Sequence, residues 1–366
     1  MKQMLAVLAV LAIAALVGTY LLFQRHSRGI APPEDLVAAI DQAPSTDLPP
    51  ADSAPATAPP PAAVHAAPAG ARPMMTEGGP TGTADAFVPP PNVRAFSHSK
   101  TAMPSALQTQ AGQCQAGLLL DVTNQQVLWT KNPDTVLPIA SITKLMTLYV
   151  ALDAIAENPK WDLDLPSTVS ARAMNQGGSQ LWLEKGATYP IQNLMQAMMI
   201  QSANDAAYVV AETVADGDMD AFVAAMNRRA RFMGLRGARF FNPNGMPGKD
   251  AESDNRASAY DLAMLSLACK RFPVLWTWSG TATARFIHTN GTPIDMANTN
   301  RLVRGGYPGV TGLKTGFINR SGFCMVATAT RDNRELMVVA LGFERRQNRD
   351  DFVTSLLEWG YQQRVR

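Results

Sequence analysis

From Pro138 to Leu152 the chain reads Pro-Ile-Ala-Ser-Ile-Thr-Lys-Leu-Met-Thr-Leu-Tyr-Val-Ala-Leu, apolar on nearly every face when wound as a helix. A helix apolar all round is a buried one, in a protein core or in a membrane. This run is too short, and too polar at its start, to cross a bilayer. The chain must therefore build a core large enough to enclose it. Ser141 and Lys144 stand at the polar start, three residues apart and so on one helical face. Low dielectric disfavours the charged form, so a lysine drawn into such a core loses its proton readily. A neutral amine beside a serine hydroxyl can activate it as a nucleophile. The plain alternative is a serine N-cap followed by a solvated lysine.

With 366 residues the chain has room for one large domain or two ordinary ones. Its formal net charge of +2 leaves no electrostatic footprint for nucleic acid. Cys114, Cys269 and Cys324 are too few and too scattered for a zinc site or a disulfide framework, although one pair could be bridged in an exported domain. His26, His65 and His98 fall in segments read below as anchor and linker. Only His288 remains in the folded part, which argues against a Ser-His-Asp triad and against a histidine-rich metal centre. No metal or cofactor is expected.

Met4 to Phe23 carries no charge and follows Lys2. It is long enough to span a membrane as a helix, and an uncleaved anchor is preferred over a signal peptide, whose apolar region is usually shorter. If Lys2 stays inside, against the pull of Arg25 and Arg28, either reading sends the rest of the chain to the periplasmic or extracytoplasmic side. Residues 31–104 are rich in Pro, Ala, Thr and Gly, with Pro59-Pro60-Pro61 and Pro89-Pro90-Pro91. Such a segment buries too little apolar surface to offset its chain entropy and reads as an extended, disordered linker. The expected organisation is an anchor over 1–30, the linker over 31–104 and a catalytic domain over 105–366.

Within that domain, residues 117–122 and 126–129 predict a hairpin. Helices are expected over 191–200, 206–215, 220–233 and 350–361, and another opens at Ser258 with Asp261 three residues later. Strand patterns cover 312–318, 322–330 and 335–343, the last two joined by Arg331-Asp332-Asn333-Arg334. Strands at both ends with helices between predict one antiparallel sheet with helices on its faces.

Two more polar clusters interrupt apolar surroundings. Ser202-Ala203-Asn204 breaks a helical run. Buried polar groups there must find partners, or sit where a ligand supplies them. Ser202 suits a proton shuttle, and Asn204 suits holding Lys144 or a substrate amide; capping the next helix is the plain alternative. Lys314-Thr315-Gly316 lies inside a strand. A glycine there marks close approach by another backbone, and an extended peptide can add along such an edge. Lys314 offers charge for a carboxylate and like-charge pressure on Lys144. The plain alternative is a solvent-facing lysine that protects an edge strand.

Ser-x-x-Lys opening an apolar helix, Ser-x-Asn after it and Lys-Thr-Gly on a late strand together resemble the signature of penicillin-binding proteins and class A β-lactamases. The chain resembles in particular the D-alanyl-D-alanine carboxypeptidase family of low-molecular-mass penicillin-binding proteins, which are serine D,D-peptidases. The likeness spans residues 114–363 and includes Ala140–Thr147, Gln201–Ala206, Phe241-Asn-Pro-Asn-Gly245 and Gly309–Gly316. It implies an α/β (α+β) fold of the β-lactamase/D,D-peptidase type. In that fold an antiparallel five-stranded sheet is flanked by helices, with a helical subdomain carrying the nucleophile.

The same likeness implies attack by Ser141 on the carbonyl between two terminal D-alanines of a peptidoglycan stem peptide. Lys144 takes the proton, and Ser202, positioned by Asn204, passes one to the leaving amine. The backbone N–H groups of Ser141 and Phe317 form the oxyanion hole. Lys314, Thr315 and Gly316 hold the carboxylate end, with Arg349 near it. β-Lactams are implied as covalent inhibitors. Three departures stand out: Ala203 where many relatives have Gly, Ile318 where many have Thr, and Thr299 where some carboxypeptidases have Arg. A D,D-endopeptidase is the sibling activity. A β-lactamase is disfavoured because no Glu-x-x-Leu-Asn lies between Asn204 and Lys314. A non-catalytic wall scaffold is disfavoured by the intact polar set.

Overall fold

The computed structural model describes residues 89–363. The expected anchor and most of the expected linker lie outside the described residues. No helix among the described residues is long and apolar enough to cross a membrane.

The strands that build the main sheet are β1 (Ser97–His98), β2 (Ala116–Asp121), β3 (Gln126–Lys131), β4 (Val310–Ile318), β5 (Gly322–Arg331) and β6 (Arg334–Phe343). Their order across the sheet is β1-β3-β2-β6-β5-β4. Five strands are antiparallel, as the sequence leads one to expect. The sheet is nonetheless mixed and six-stranded, because β1 pairs parallel to β3 through Ser97↔Gln126 and His98↔Val127. Val93 and Phe96 explain the addition: both are buried in the main core and pin the segment before β1. Proline content had placed residues 89–104 in the linker, and it hid these two apolar anchors. The β5–β6 turn puts Asp332 and Asn333 at φ 48° and 60°, the left-handed backbone that a tight hairpin demands and that Asp and Asn tolerate.

The longer helices among the described residues complete the frame: α1 (Ser105–Gly112), α2 (Lys144–Glu157), α3 (Ile191–Ile200), α4 (Asn204–Val214), α5 (Met219–Phe232), α6 (Ala259–Ala268), α7 (Pro273–Ser279) and α8 (Arg346–Gln362). Side chains alternate along each strand, and both faces of the sheet are covered. On β6, Met337, Val339 and Leu341 join the core shared with α2 to α7. Leu336, Val338 and Ala340 point the other way, into a second core with Phe352, Val353, Leu356 and Leu357 of α8. That double covering is why the strands read as continuous apolar runs. Each such leucine, fully buried, contributes roughly 1.5–3 kcal/mol.

The expected capping box at the start of α6 is present, with Ser258 and Asp261 each accepting from the other's backbone. Helix α7 and the hairpin Thr283–Ile287/Pro293–Ala297 were not anticipated from sequence. Cys114, Cys269 and Cys324 are all free and buried, so no pair is bridged.

Candidate active site

Helix α2 does not start at Ser141. A 3-10 turn, Ala140–Thr143, comes first, and α2 begins at Lys144. Ala140 has φ 46°, so the chain kinks just before the serine. Two glycines hold this turn from opposite segments. A Cβ on Gly245 would fall 2.0 Å from the Ala140 carbonyl oxygen. A Cβ on Gly316 would fall 2.6 Å from the Ile139 carbonyl oxygen and 3.2 Å from the Ser141 nitrogen. Strand β4 thus passes directly against the backbone of Ser141, the close approach that the glycine in Lys-Thr-Gly predicted.

Lys144 is fully buried. Its Nζ lies 2.7 Å from Asn204 Oδ1, 2.6 Å from the Asn244 carbonyl oxygen and 3.0 Å from Ser141 Oγ. The first two atoms can only accept, so each takes an N–H. A neutral amine has two N–H bonds and one lone pair, and the lone pair is left facing the Ser141 hydroxyl. Burial first, and then the charge of Lys314, hold Lys144 well below the ordinary lysine range, against the opposing pull of Asp205.

Asn204 is oriented by its other end, since Nδ2 donates to the Gly177 carbonyl at 2.7 Å. Asn204 therefore holds Lys144, one of the two tasks its type suggested, and is not the residue that positions Ser202. Ser202 belongs to Lys314, whose Nζ lies 2.9 Å from Ser202 Oγ and 3.1 Å from the Thr315 carbonyl oxygen. Burial, then the charge of Arg349, push Lys314 down to about 7. Thr315 Oγ1 lies 2.7 Å from Thr299 Oγ1. Phe317 is half exposed and stacks on Phe323 with ring centroids 4.2 Å apart.

Arg349 is placed differently from its expected position beside a substrate carboxylate. It is buried, with Nε and Nη2 on Asp350 Oδ1 and Nη1 on the Cys324 carbonyl oxygen. It reaches the site through its charge on Lys314.

Sequence reasoning missed Asn244, whose contribution is a main-chain carbonyl, and it took Thr299 only as a departure. The signal for Asn244 was present in Phe241-Asn-Pro-Asn-Gly245, a turn-forming sequence shared with the resembled family. Asn255 ties that loop to the nucleophile turn, donating to Thr143 Oγ1 at 3.0 Å and to the Asn242 carbonyl at 2.8 Å. Thr147 Oγ1 adds a bond to the Pro243 carbonyl at 2.5 Å.

A serine, two lysines of depressed basicity, a second serine and an asparagine thus converge where β4 meets the 3-10 turn. The S11 peptidase family, described as D-alanyl-D-alanine carboxypeptidase, matches residues 101–345. The chain belongs to this family. As a member of the S11 family it is a serine peptidase, a hydrolase. It is 30% identical over 271 residues to the D-alanyl-D-alanine carboxypeptidase DacF of Bacillus subtilis, covering 72% of this chain and 68% of that protein. It is 32% identical over 253 residues to a D-alanyl-D-alanine endopeptidase of Pseudomonas aeruginosa, covering 68% of this chain and 76% of that one. Among solved structures, penicillin-binding protein D2 of Listeria monocytogenes in its ampicillin-bound form superposes with a TM-score of 0.60. That pair is 27% identical, over 68% of this chain and 98% of the other.

The contact at Gly316 yields a test. Gly316→Ala must displace either β4 or the Ser141 backbone, because the obstructing atoms are main chain. Acylation by a fluorescent penicillin is expected to slow about 100-fold, the scale of an ångström-sized misplacement, with the urea midpoint still measurable. Wild-type acylation in this variant would show that the approach is not tight in solution.

Proposed function

We propose that this chain is a serine-type D-Ala-D-Ala carboxypeptidase that removes the terminal D-alanine from peptidoglycan stem peptides through an acyl-enzyme. The observation that carries the reading is the Lys144 amine, its two N–H groups engaged by Asn204 and Asn244 and its lone pair left for Ser141. Ser141 Oγ attacks the carbonyl between the two D-alanines as its proton passes to Lys144 Nζ. Negative charge on the carbonyl oxygen meets the N–H groups of Ser141 and Phe317. The C–N bond breaks, and Ser202 gives a proton to the leaving amine, which departs as D-alanine. The proton held by Lys144 restores Ser202, so the proton lost by Ser141 ends on the product. Water then attacks the ester as Lys144 takes one of its protons, the bond from the carbonyl carbon to Ser141 Oγ breaks, and Lys144 returns that proton to Oγ as the shortened stem is released. Lys314, Thr315 and Gly316 hold the carboxylate end, with Arg349 acting from behind through its charge. A β-lactam presents the same carbonyl and carboxylate and stays attached to Ser141.

Cleavage of cross-links between stems is the second reading. Two observations favour it: the likeness to an endopeptidase and a hydroxyl at Thr299 instead of a cation beside Thr315.

The uncharged run from Met4 to Phe23 supports export, with the catalytic domain, which takes in Val93 and Phe96, outside the cytoplasm on a proline-rich tether. On the same ground the membrane anchor is proposed to be retained. Fractionation of the full chain should find it in membranes, and recovery of a shortened soluble form would instead favour cleavage.

Fluorescent penicillin should label the wild type and leave Ser141→Ala unlabelled. Wild-type enzyme should release D-alanine from a pentapeptide. A muropeptide profile showing only cleaved dimers would replace trimming by cross-link cleavage.

The two lysines also set a pH dependence. Lys314 is charged below about 7 and neutral above it. Carboxylate recognition needs the charge, so the second-order rate constant for acylation should fall as pH rises through this value. That constant reports groups of the free enzyme. Lys314→Arg keeps its charge at every such pH and should lose this basic limb, at a lower absolute rate. A limb unchanged in the arginine variant would assign the titration to another group.

A further inference from the structure

The segment preceding α3 is clamped to the turn that carries Ser202 and Asn204. The Asn204 N–H donates to the Ser179 carbonyl at 2.7 Å. Ser179 Oγ donates to the Gln201 carbonyl at 2.7 Å, and Gln201 Nε2 to the Gln180 carbonyl at 2.8 Å. The buried Asp205 carboxylate accepts from the N–H groups of Leu181 at 2.9 Å and Leu183 at 3.2 Å. Both leucines enter the core.

Between them Trp182 is 68% exposed, more than any other large apolar side chain of the described residues. Its φ of 53° is left-handed, an outlier for a bulky residue. An indole in water also forgoes the stabilisation of burial. Strained backbone of this sort persists where its surroundings over-determine it, and it gathers at ligand clamps. Two residues to either side of Trp182, Gln180 is half-buried and Glu184 is exposed. Glu184 Oε1 lies 3.5 Å from Nδ2 of Asn290, an exposed residue in the turn of the Thr283–Ile287/Pro293–Ala297 hairpin.

We propose that Trp182 is a stacking platform for an amino sugar of the glycan strand that bears the stem peptide, with Gln180, Glu184 and Asn290 meeting the sugar's hydroxyl and acetamido groups. The inference rests on the carboxypeptidase reading for its choice of polymer. A pyranose presents C–H groups on its face and polar groups at its rim. Trp182 with its flanking amides and carboxylate presents the complementary arrangement. The stem peptide has its own surfaces, the β4 edge for its backbone and Lys314 for its carboxylate. The glycan is the part of the substrate that the cleft leaves without a partner. Because the clamp already fixes the loop, little ordering accompanies binding.

The test uses the full chain and two substitutions, Trp182→Ala and Trp182→Tyr. Calorimetric titration with peptide-free glycan strands of alternating N-acetylglucosamine and N-acetylmuramic acid should show affinity about tenfold weaker in the alanine variant and largely kept in the tyrosine one. D-Alanine release from glycan-linked pentapeptide should lose about tenfold in kcat/KM through KM in the alanine variant, while release from free pentapeptide and acylation by penicillin stay at wild-type rates. The proposal is overturned if the alanine variant binds peptide-free glycan as tightly as wild type. It is equally overturned if free and glycan-linked pentapeptide lose rate together, since Trp182 would then serve the stem. Wild type that releases no D-alanine from either substrate, yet binds glycan in a Trp182-dependent way, would sink the assigned reaction and support the sugar platform.

Discussion

A charged Lys144 would have to leave water and face only neutral oxygens. Hydrogen-bond partners of its Nζ are a side-chain amide, a main-chain carbonyl and a hydroxyl. The carboxylate that acts on it, Asp205, is itself buried and already accepts the N–H groups of Leu181, Leu183 and Ala206. Its pull on the proton is accordingly outweighed by desolvation and by Lys314. An amine so placed is a base because the fold gives its proton nowhere favourable to stay. The large core beneath α2 is the condition for this, and the all-round apolar sequence of α2 is what builds that core.

The second lysine needs a different balance. Lys314 must keep enough charge to meet a carboxylate, yet it is buried beside Arg349 and sits near the midpoint of its titration at neutral pH. Asp350 takes two donors of the Arg349 guanidinium on one oxygen, which tempers that neighbouring charge without abolishing it. The two lysines are therefore linked through space: charge on Lys314 helps to lower the basicity of Lys144. The sheet enforces the geometry, since β4 carries Lys314 and also bears Gly316 against the serine turn. Any displacement of β4 disturbs nucleophile, base and carboxylate site together.

Much of this could be read from residue order. Ser141 and Lys144 were legible because one helical turn brings positions three apart together, and the 3-10 start preserves that contact. The β5–β6 hairpin was legible from four polar residues between apolar runs, and α8 from its spacing. Other features carry no side-chain signature. A main-chain carbonyl such as that of Asn244 can belong to any residue type, so no reading of types could single it out. The pairing of Ser202 with Lys314 depends on which way the side chain turns at a left-handed residue, Ser202 at φ 65°, whereas the hold of Asn204 on Lys144 was one of the two tasks its residue type suggested. Strand β1 was lost because a window rich in proline outweighs two apolar residues in composition, whereas burial is decided residue by residue.

The loop from Phe241 to Met246 shows how a turn motif acquires a chemical task. Asn242 Oδ1 accepts the Gly245 N–H at 2.7 Å, and Asn244 Oδ1 accepts the Met246 N–H at 3.1 Å, so the loop closes on its own side chains. Asn244 Nδ2 reaches Gln176 Oε1 at 2.8 Å, and Asn255 bridges to Thr143. Each amide in the set has named partners, and a satisfied polar network in a core is rigid where a partly satisfied one is a liability. Rigidity here has a direction. It aims the Asn244 carbonyl at Lys144 and so decides which face of the amine is left for the serine. The asparagines contribute to chemistry without touching substrate, by fixing where a lone pair points.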